Sequence, residues 1–282
     1  MTRAALERLR DTTFRRLPRL RVRGGRSALA FINAVGFCST FYRTPEPLPC
    51  LWVAVCGRRN PRFPKHTHTD PHIGLTWRLK DILPAKKQVY YGKLLKGRPT
   101  LVSLSCFPAF FRLIRGNKGS GDYLSDYRAG RLTRTANIVM DALMDEHPQY
   151  TRGLRAACGL MAPERTREFD RAIGELQRGL WIVKTEERYE PSFSYRWDLL
   201  DHWLEDEVAA GQHLDRAEAV YQLVRKHLET VYYSRVDLIS RLLDISAHEV
   251  TAGLDRLISE GDAVPNRSVR GLTGRWVVQC LS

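Results

Sequence analysis

The stretch that most constrains this chain runs from Ser234 to Val264, SRVDLISRLLDISAHEVTAGLDRLISEGDAV. Leu238, Leu242 and Leu243 share one face of a short helix. Ser246 and Glu249 have the spacing of a capping box, in which the hydroxyl accepts from the N–H three residues on and the carboxylate reaches back. Val250, Leu254, Leu257 and Ile258 then fall at i, i+4, i+7 and i+8, the apolar stripe of a helix lying on a core. Gly261 stops that helix, because glycine tolerates the left-handed conformation a helix end requires. Ala263-Val-Pro265 and Trp276-Val-Val278 flank the Arg-rich loop from Asn266 to Arg275 and read as a two-stranded wing. Helix, turn, second helix and basic wing make the pattern of a winged helix-turn-helix.

The pattern occurs twice. Thr166 to Lys184 matches Ala247 to Pro265 at one fixed offset, so that Glu168, Phe169, Ile173 and Leu176 fall on Glu249, Val250, Leu254 and Leu257. Helices are predicted before it at 133–147 and 151–158, and a wing after it from Trp181–Lys184 and Ser192–Trp197. Internal similarity on this scale means tandem domains. The predicted fold is α+β, mainly helical, built of tandem winged helix-turn-helix units. The expected divisions are a basic arm or helix at 1–26, a first winged-helix-like domain with a basic insert at 27–115, a second at 122–197, a linking helix at 198–214 and a third at 215–282.

The 282 residues carry 45 Lys and Arg against 31 Asp and Glu, a net charge of +14, which favours a polyanionic partner. No apolar run is long enough to span a bilayer. The six scattered cysteines, mostly inside apolar stretches, read as reduced, buried thiols of a cytoplasmic, nucleoid-associated protein. Positions 1–26 hold nine arginines; Leu6, Leu9, Phe14 and Leu17 give that segment one apolar edge, so it is either a solvated helical arm or an arm on phosphates. Ser27 is expected to cap an apolar helix at 28–35 that Gly36 stops, 44–49 reads as a proline-rich turn and 51–56 as a buried helix. Pro84 is expected to open a helix at 85–96, before a strand at 100–104 and a buried aromatic helix at 107–114. The acidic run from Asp198 to Asp215 is expected to stay in solvent.

Residues 58–98 interleave eleven Lys and Arg with Trp77, Tyr90 and Tyr91, a mixture suited to phosphate contact plus base stacking, unless the aromatics are core. Asp70 and Asp81 are the candidate catalytic residues there, since excision of a base needs a carboxylate or amide at the sugar carbon; the alternative is that they cap or begin turns. His66, His68, Asp70 and His72 have ligand-like spacing, so a metal-dependent hydrolase is one alternative, and a polar loop without metal another. Neither metal nor cofactor is expected. The candidate DNA contacts are Arg165, Arg167, Arg171 and Arg178 on and beside the first recognition helix, and His248, Thr251 and Arg256 on the second. Arg267, Arg270 and Arg275 would reach from the wing, and Lys86, Lys87 and Lys93 would add sequence-independent affinity.

An N-terminal basic helix, an apolar helix ending Asn33-Ala-Val-Gly-Phe37, a middle reading Trp77-Arg-Leu-Lys-Asp81 and Tyr90-Tyr-Gly-Lys-Leu-Leu95, and two winged helices follow in order. In this the chain resembles winged-helix proteins related to the AlkZ/YcaQ type of alkylpurine and crosslink DNA glycosylase, over nearly its whole length. Those glycosylases carry a Gln-x-Gln pair after the first helical segment and end in a β-barrel. Here Cys38 and Thr40 stand where the glutamines would fall, and the last wing is followed closely by Ser282. The resemblance implies duplex binding by stacked winged helices and carries no catalytic residue over. The expectation is a double-stranded-DNA-binding protein, monomeric, acting in damage recognition or repair, glycosylase-like if it is an enzyme. The alternative is a winged-helix transcription regulator.

Overall fold

A computed structural model describes residues 2–41 and 48–281; most of the turn expected at 44–49 lies outside them. The chain opens with α1 (Arg3–Thr13), whose first turn is capped by Thr2. Then one order of elements occurs three times: helix, short strand, two helices, and two strands. The first set is α2 (Gly25–Val35), β1 (Phe37–Ser39), α3 (Leu51–Cys56), α4 (Pro71–Ala85), β2 (Val89–Gly92) and β3 (Thr100–Ser103). After α5 (Phe107–Arg115) and α6 (Tyr123–Arg128) comes the second: α7 (Arg134–Asp145), β4 (Gln149–Tyr150), α8 (Thr151–Ala157), α9 (Thr166–Arg178), β5 (Ile182–Arg188) and β6 (Ser194–Leu199). Two short helices, α10 (Leu200–Trp203) and α11 (Glu205–His213), lead to the third: α12 (Arg216–Val231), β7 (Tyr233–Ser234), α13 (Val236–Leu243), α14 (Ala247–Ser259), β8 (Ala263–Arg267) and β9 (Trp276–Gln279). Each set folds into a three-stranded antiparallel sheet with the last strand in the middle: β1-β3-β2, β4-β6-β5 and β7-β9-β8. The molecule is α+β and mainly helical.

Local chemistry accounts for these elements. Polar N-caps open four of the longer helices: Asp70 on α4, Thr133 on α7, Asp215 on α12, and the expected Ser246–Glu249 box on α14. The repeat offset is preserved in space, since the same shift carries Thr166 onto Ala247 and Arg178 onto Ser259, the ends of α9 and α14. Phe169, Ala172, Ile173 and Leu176 are buried, and so are their counterparts Val250, Gly253, Leu254 and Leu257. Each large apolar side chain sunk in this way stabilises its unit by about 1.5–3 kcal/mol.

Two sequence expectations are corrected. Pro84 does not open a helix. Asp70 accepts from the N–H groups of His72 and Ile73 at 2.9 and 2.8 Å, so the helix starts at Pro71, and Pro84 interrupts only its last turn. Residues 89–92 pair with β3 instead of continuing as a helix, led by β-branched Val89 and aromatic Tyr90 and Tyr91. Likewise, Ser27 lies inside α2, which begins at Gly25, and its hydroxyl accepts from the Arg23 and Gly24 N–H groups.

The sets are not separate beads. The first and third share one core, in which Phe37, Tyr90, Phe107 and Phe111 meet Val208, Val224, Ile239 and Leu254. The second keeps its own core around Leu143, Phe169, Leu176, Trp181 and Trp197. Helix α5 connects them, and Arg115 at its end is buried against Asp201, with Nη1 2.5 Å from the carboxylate and 2.9 Å from the Leu180 carbonyl. The acidic run packs one face on α5, since Val208 is buried and a Cβ on Gly211 would lie 2.8 Å from the Phe111 ring and 2.9 Å from the Pro108 carbonyl, while Glu205, Asp206 and Asp215 are exposed as expected. Helix α1 is no free arm either. Leu6 packs with Tyr233, Val269, Trp276 and Val278, and buried Arg10 donates to the Val231 carbonyl and the Tyr233 hydroxyl. Among the described residues the six cysteines form no disulfide, and of them Cys38 and Cys50 are buried. Among the described residues no helix is long and apolar enough to cross a membrane.

Candidate nucleic-acid interface

Where the first and second sets meet, α4 presents Trp77, Lys80 and Asp81 to the hairpin of β5 and β6. Helical spacing puts Trp77, Lys80 and Asp81 at i, i+3 and i+4, on one side of α4. Lys80, 3% exposed in its side chain, places Nζ against Asp81 Oδ1 and 2.8 Å from Glu187 Oε1. Lys184 contacts the same Glu187 oxygen. The Tyr189 hydroxyl donates to Asp81 Oδ2 and to Glu187 Oε2, both at 3.0 Å, and so bridges the two carboxylates from outside. Lys80 Nζ lies 4.4 Å from the Trp77 ring centre, and Lys184 Nζ 4.8 Å from that of Tyr91 and 5.1 Å from that of Tyr195.

Two ammonium groups and two carboxylates thus share one half-sealed box with aromatic walls. Burial pushes the Lys80 ammonium below its ordinary range. Burial, and then the Lys80 charge beside it, bring Lys184 down to about 7, with Asp81 opposing. The Tyr189 phenol is pushed up to about 12, first by desolvation and then by the Asp81 charge; its ring is largely exposed, but its hydroxyl is the part that covers the carboxylates. The outer rim is aromatic and open: Trp77 is 48% exposed, Tyr189 60% and Phe193 56%. Phe41 leans on Trp77 with ring centres 5.2 Å apart, and Tyr189 on Phe193 at 5.6 Å. Large apolar rings left facing water beside buried charge are the unusual feature here.

The other candidate residues distribute unevenly. Asp70 is spent on capping α4, the alternative its spacing allowed. His72 Nδ1 lies 3.9 Å from it; His66 and His68 are exposed, and the group of three ligand atoms that converges among the described residues is made by other residues. Cys38 and Thr40 are fully buried. Lys86 and Lys87 are exposed at the end of α4, Lys87 with Nζ 4.5 Å from the centre of the Trp203 ring. Lys93 and Arg178 line a cleft of about 650 Å3 together with Lys96 and Arg241, which gathers cations from all three sets. Arg167 and Arg171 are exposed on α9, whereas Arg165 is held by Glu168 through two hydrogen bonds of 2.9 Å. His248 and Thr251 are exposed on α14. Arg256 is engaged within the protein, with Glu218 at 2.6 Å, Glu260 at 3.0 Å and the centre of the Tyr221 ring 3.6 Å away. On the last hairpin Arg267 and Arg270 are exposed, and Arg275 donates to the Asn266 carbonyl and Ser268 hydroxyl.

Sequence reasoning singled out Asp81, Trp77 and Tyr91 but missed Lys184, Glu187 and Tyr189. They come from the second set, and nothing in their local pattern points to α4. Comparison with protein families returns a match to the model described as "AlkZ related" over residues 22–243. Neither the comparison with characterised proteins nor that with solved structures returns a match.

Proposed function

Since the chain belongs to the AlkZ-related family, we propose that it is a double-stranded-DNA-binding protein of three tandem winged helices that acts on damaged bases, as a glycosylase or a close relative of one. The recurrent order of elements, with the same sheet order three times, supports the winged-helix reading. One observation carries the functional one: open aromatics border the Lys80–Asp81–Glu187–Lys184 cluster at the junction of two sets. A nucleotide leaving the stack needs flat apolar surface for its base, and Trp77, Tyr189 and Phe193 offer it. Its sugar, developing positive charge as the base departs, needs a carboxylate, and Asp81 is the one nearest the surface, with its side chain 18% exposed. The cations of the cleft holding Lys93 and Arg178, with exposed Arg167, Arg171 and Arg267, suit the phosphates on either side.

The test pairs a plain duplex with the same duplex carrying one N7-alkylated guanine. The lesion duplex binds more tightly at every salt concentration, and free modified base is released and resolved by chromatography. Asp81→Asn retains binding and lowers release at least about a hundredfold, the lower end of the range in which positioned acid or base groups act. Equal affinity for both duplexes, with sharp dependence on one sequence, would select a transcription regulator instead. Lesion-selective binding without base release would leave damage recognition and remove the glycosylase role.

A further inference from the structure

Outside that junction, the second set assembles three side chains from three places in the chain. His147 stands in the turn between α7 and β4, Asp198 in the last part of β6, and His202 in α10. Asp198 is buried, its side chain 1% exposed, and turns one oxygen to each imidazole: Oδ1 is 2.8 Å from His147 Nδ1 and Oδ2 2.9 Å from His202 Nδ1. The ligand atoms all lie within 4.8 Å of one another. The imidazole rings meet edge to face with centroids 4.6 Å apart. The Leu199 N–H donates to Asp198 Oδ1 at 2.8 Å and fixes the carboxylate plane.

We propose that His147, Asp198 and His202 form a binding site for a divalent transition-metal ion of the zinc class. Bonds of about 2.0–2.2 Å to imidazole nitrogen and carboxylate oxygen place neighbouring ligand atoms roughly 3.3–3.6 Å apart in a tetrahedral set; the two imidazole–carboxylate pairs, now in hydrogen-bond contact at 2.8 and 2.9 Å, part slightly to admit the ion. The set is all nitrogen and oxygen, which suits Zn2+ or Fe2+ and disfavours Cu+, while the two imidazoles disfavour Mg2+ and Ca2+. A buried carboxylate needs compensating positive charge, and an ion held between the rings supplies it. The Leu199 N–H is the outer partner that holds a ligating carboxylate in position. His147 is 25% and His202 56% exposed, so one side remains open to water, which completes the coordination shell. The bound ion ties the turn before β4 to the end of the hairpin and to the first helix leading to the third set. This inference does not depend on the DNA-binding proposal.

The test uses the full-length, tag-free chain, stripped with chelator and titrated with ZnCl2, then with CoCl2 as a spectroscopic probe. One equivalent of zinc remains after dialysis, and cobalt gives visible absorption without thiolate bands. His202→Ala and His147→Ala, both at least partly exposed and checked for fold by circular dichroism, weaken binding at least tenfold, the lower end of what losing even a ligand's hydrogen-bond partner costs. A variant lacking His66, His68 and His72 binds as the parent does. No retained zinc, unchanged affinity in the His147 and His202 variants, or loss of binding in the His66/His68/His72 variant would each overturn the proposal.

Discussion

Lys80→Met tests whether the junction cluster holds two sets of elements together. Lys80 Nζ lies 2.8 Å from Glu187 Oε1, with the side chains 3% and 5% exposed. At an effective dielectric near 20, that separation corresponds to roughly 6 kcal/mol of attraction before desolvation. Desolvation takes back most of it, so the pair as a whole is close to neutral. Removing one member differs, because it strands the other: about 3–5 kcal/mol for a fully buried pair. Lys184 still contacts Glu187, and Tyr189 still donates to both carboxylates, which lowers the expected cost to about 2–3 kcal/mol. The assay is urea unfolding of Lys80→Met, Glu187→Gln and the double variant, followed by tryptophan fluorescence and far-UV circular dichroism. Trp77, its ring centre 4.4 Å from Lys80 Nζ, reports locally. The cycle yields a coupling of about 1–3 kcal/mol. Single costs that add within about 0.5 kcal/mol would refute the reasoning, because two groups that do not couple cannot share a buried charge.

Lys184 carries a pH prediction. Its folded value of about 7 lies below the ordinary 10.5, so between those limits the unfolded chain binds the proton that the folded chain has released. Stability therefore rises with pH across that window; Lys184→Met removes this rise, which denaturation midpoints at pH 7 and pH 10 measure. Phe169→Ala, at a site 1% exposed in the core of the second set, costs about 3–5 kcal/mol through lost burial and the cavity left behind; a loss under 1 kcal/mol in chemical denaturation would contradict that packing. Arg171→Ala, exposed on α9, changes stability by less than about 0.5 kcal/mol but lowers the slope of log affinity against log salt by about 0.9; an unchanged slope removes Arg171 from the interface.

Helices and hairpins were legible wherever the determinants were local. Ser246 and Glu249 cap α14 as their spacing requires, and Gly261 ends it with φ +81°. The α9 stripe reappears on α14 residue for residue, because a helix exposes its periodicity to anyone who counts. Prolines were harder: Pro71 and Pro84 sit one helix apart, and only the Asp70 side chain, by capping, settles which of them begins it.

By itself the sequence determined the α+β class, the internal repeat and the basic excess, since periodicity, capping and charge are properties of short windows or simple counts. The tertiary structure alone decided what meets across long separations. It folded the third set onto the first through α5 and sank Arg10 against Val231 at the end of α12 and Tyr233 in β7. It also brought Glu187 and Tyr189 to Lys80 and Asp81, and gathered His147, Asp198 and His202 while the histidines adjacent in sequence stayed apart. A charge or an imidazole acquires its chemistry from neighbours within a few ångströms, and for these residues the fold, not the local order of the chain, supplies them.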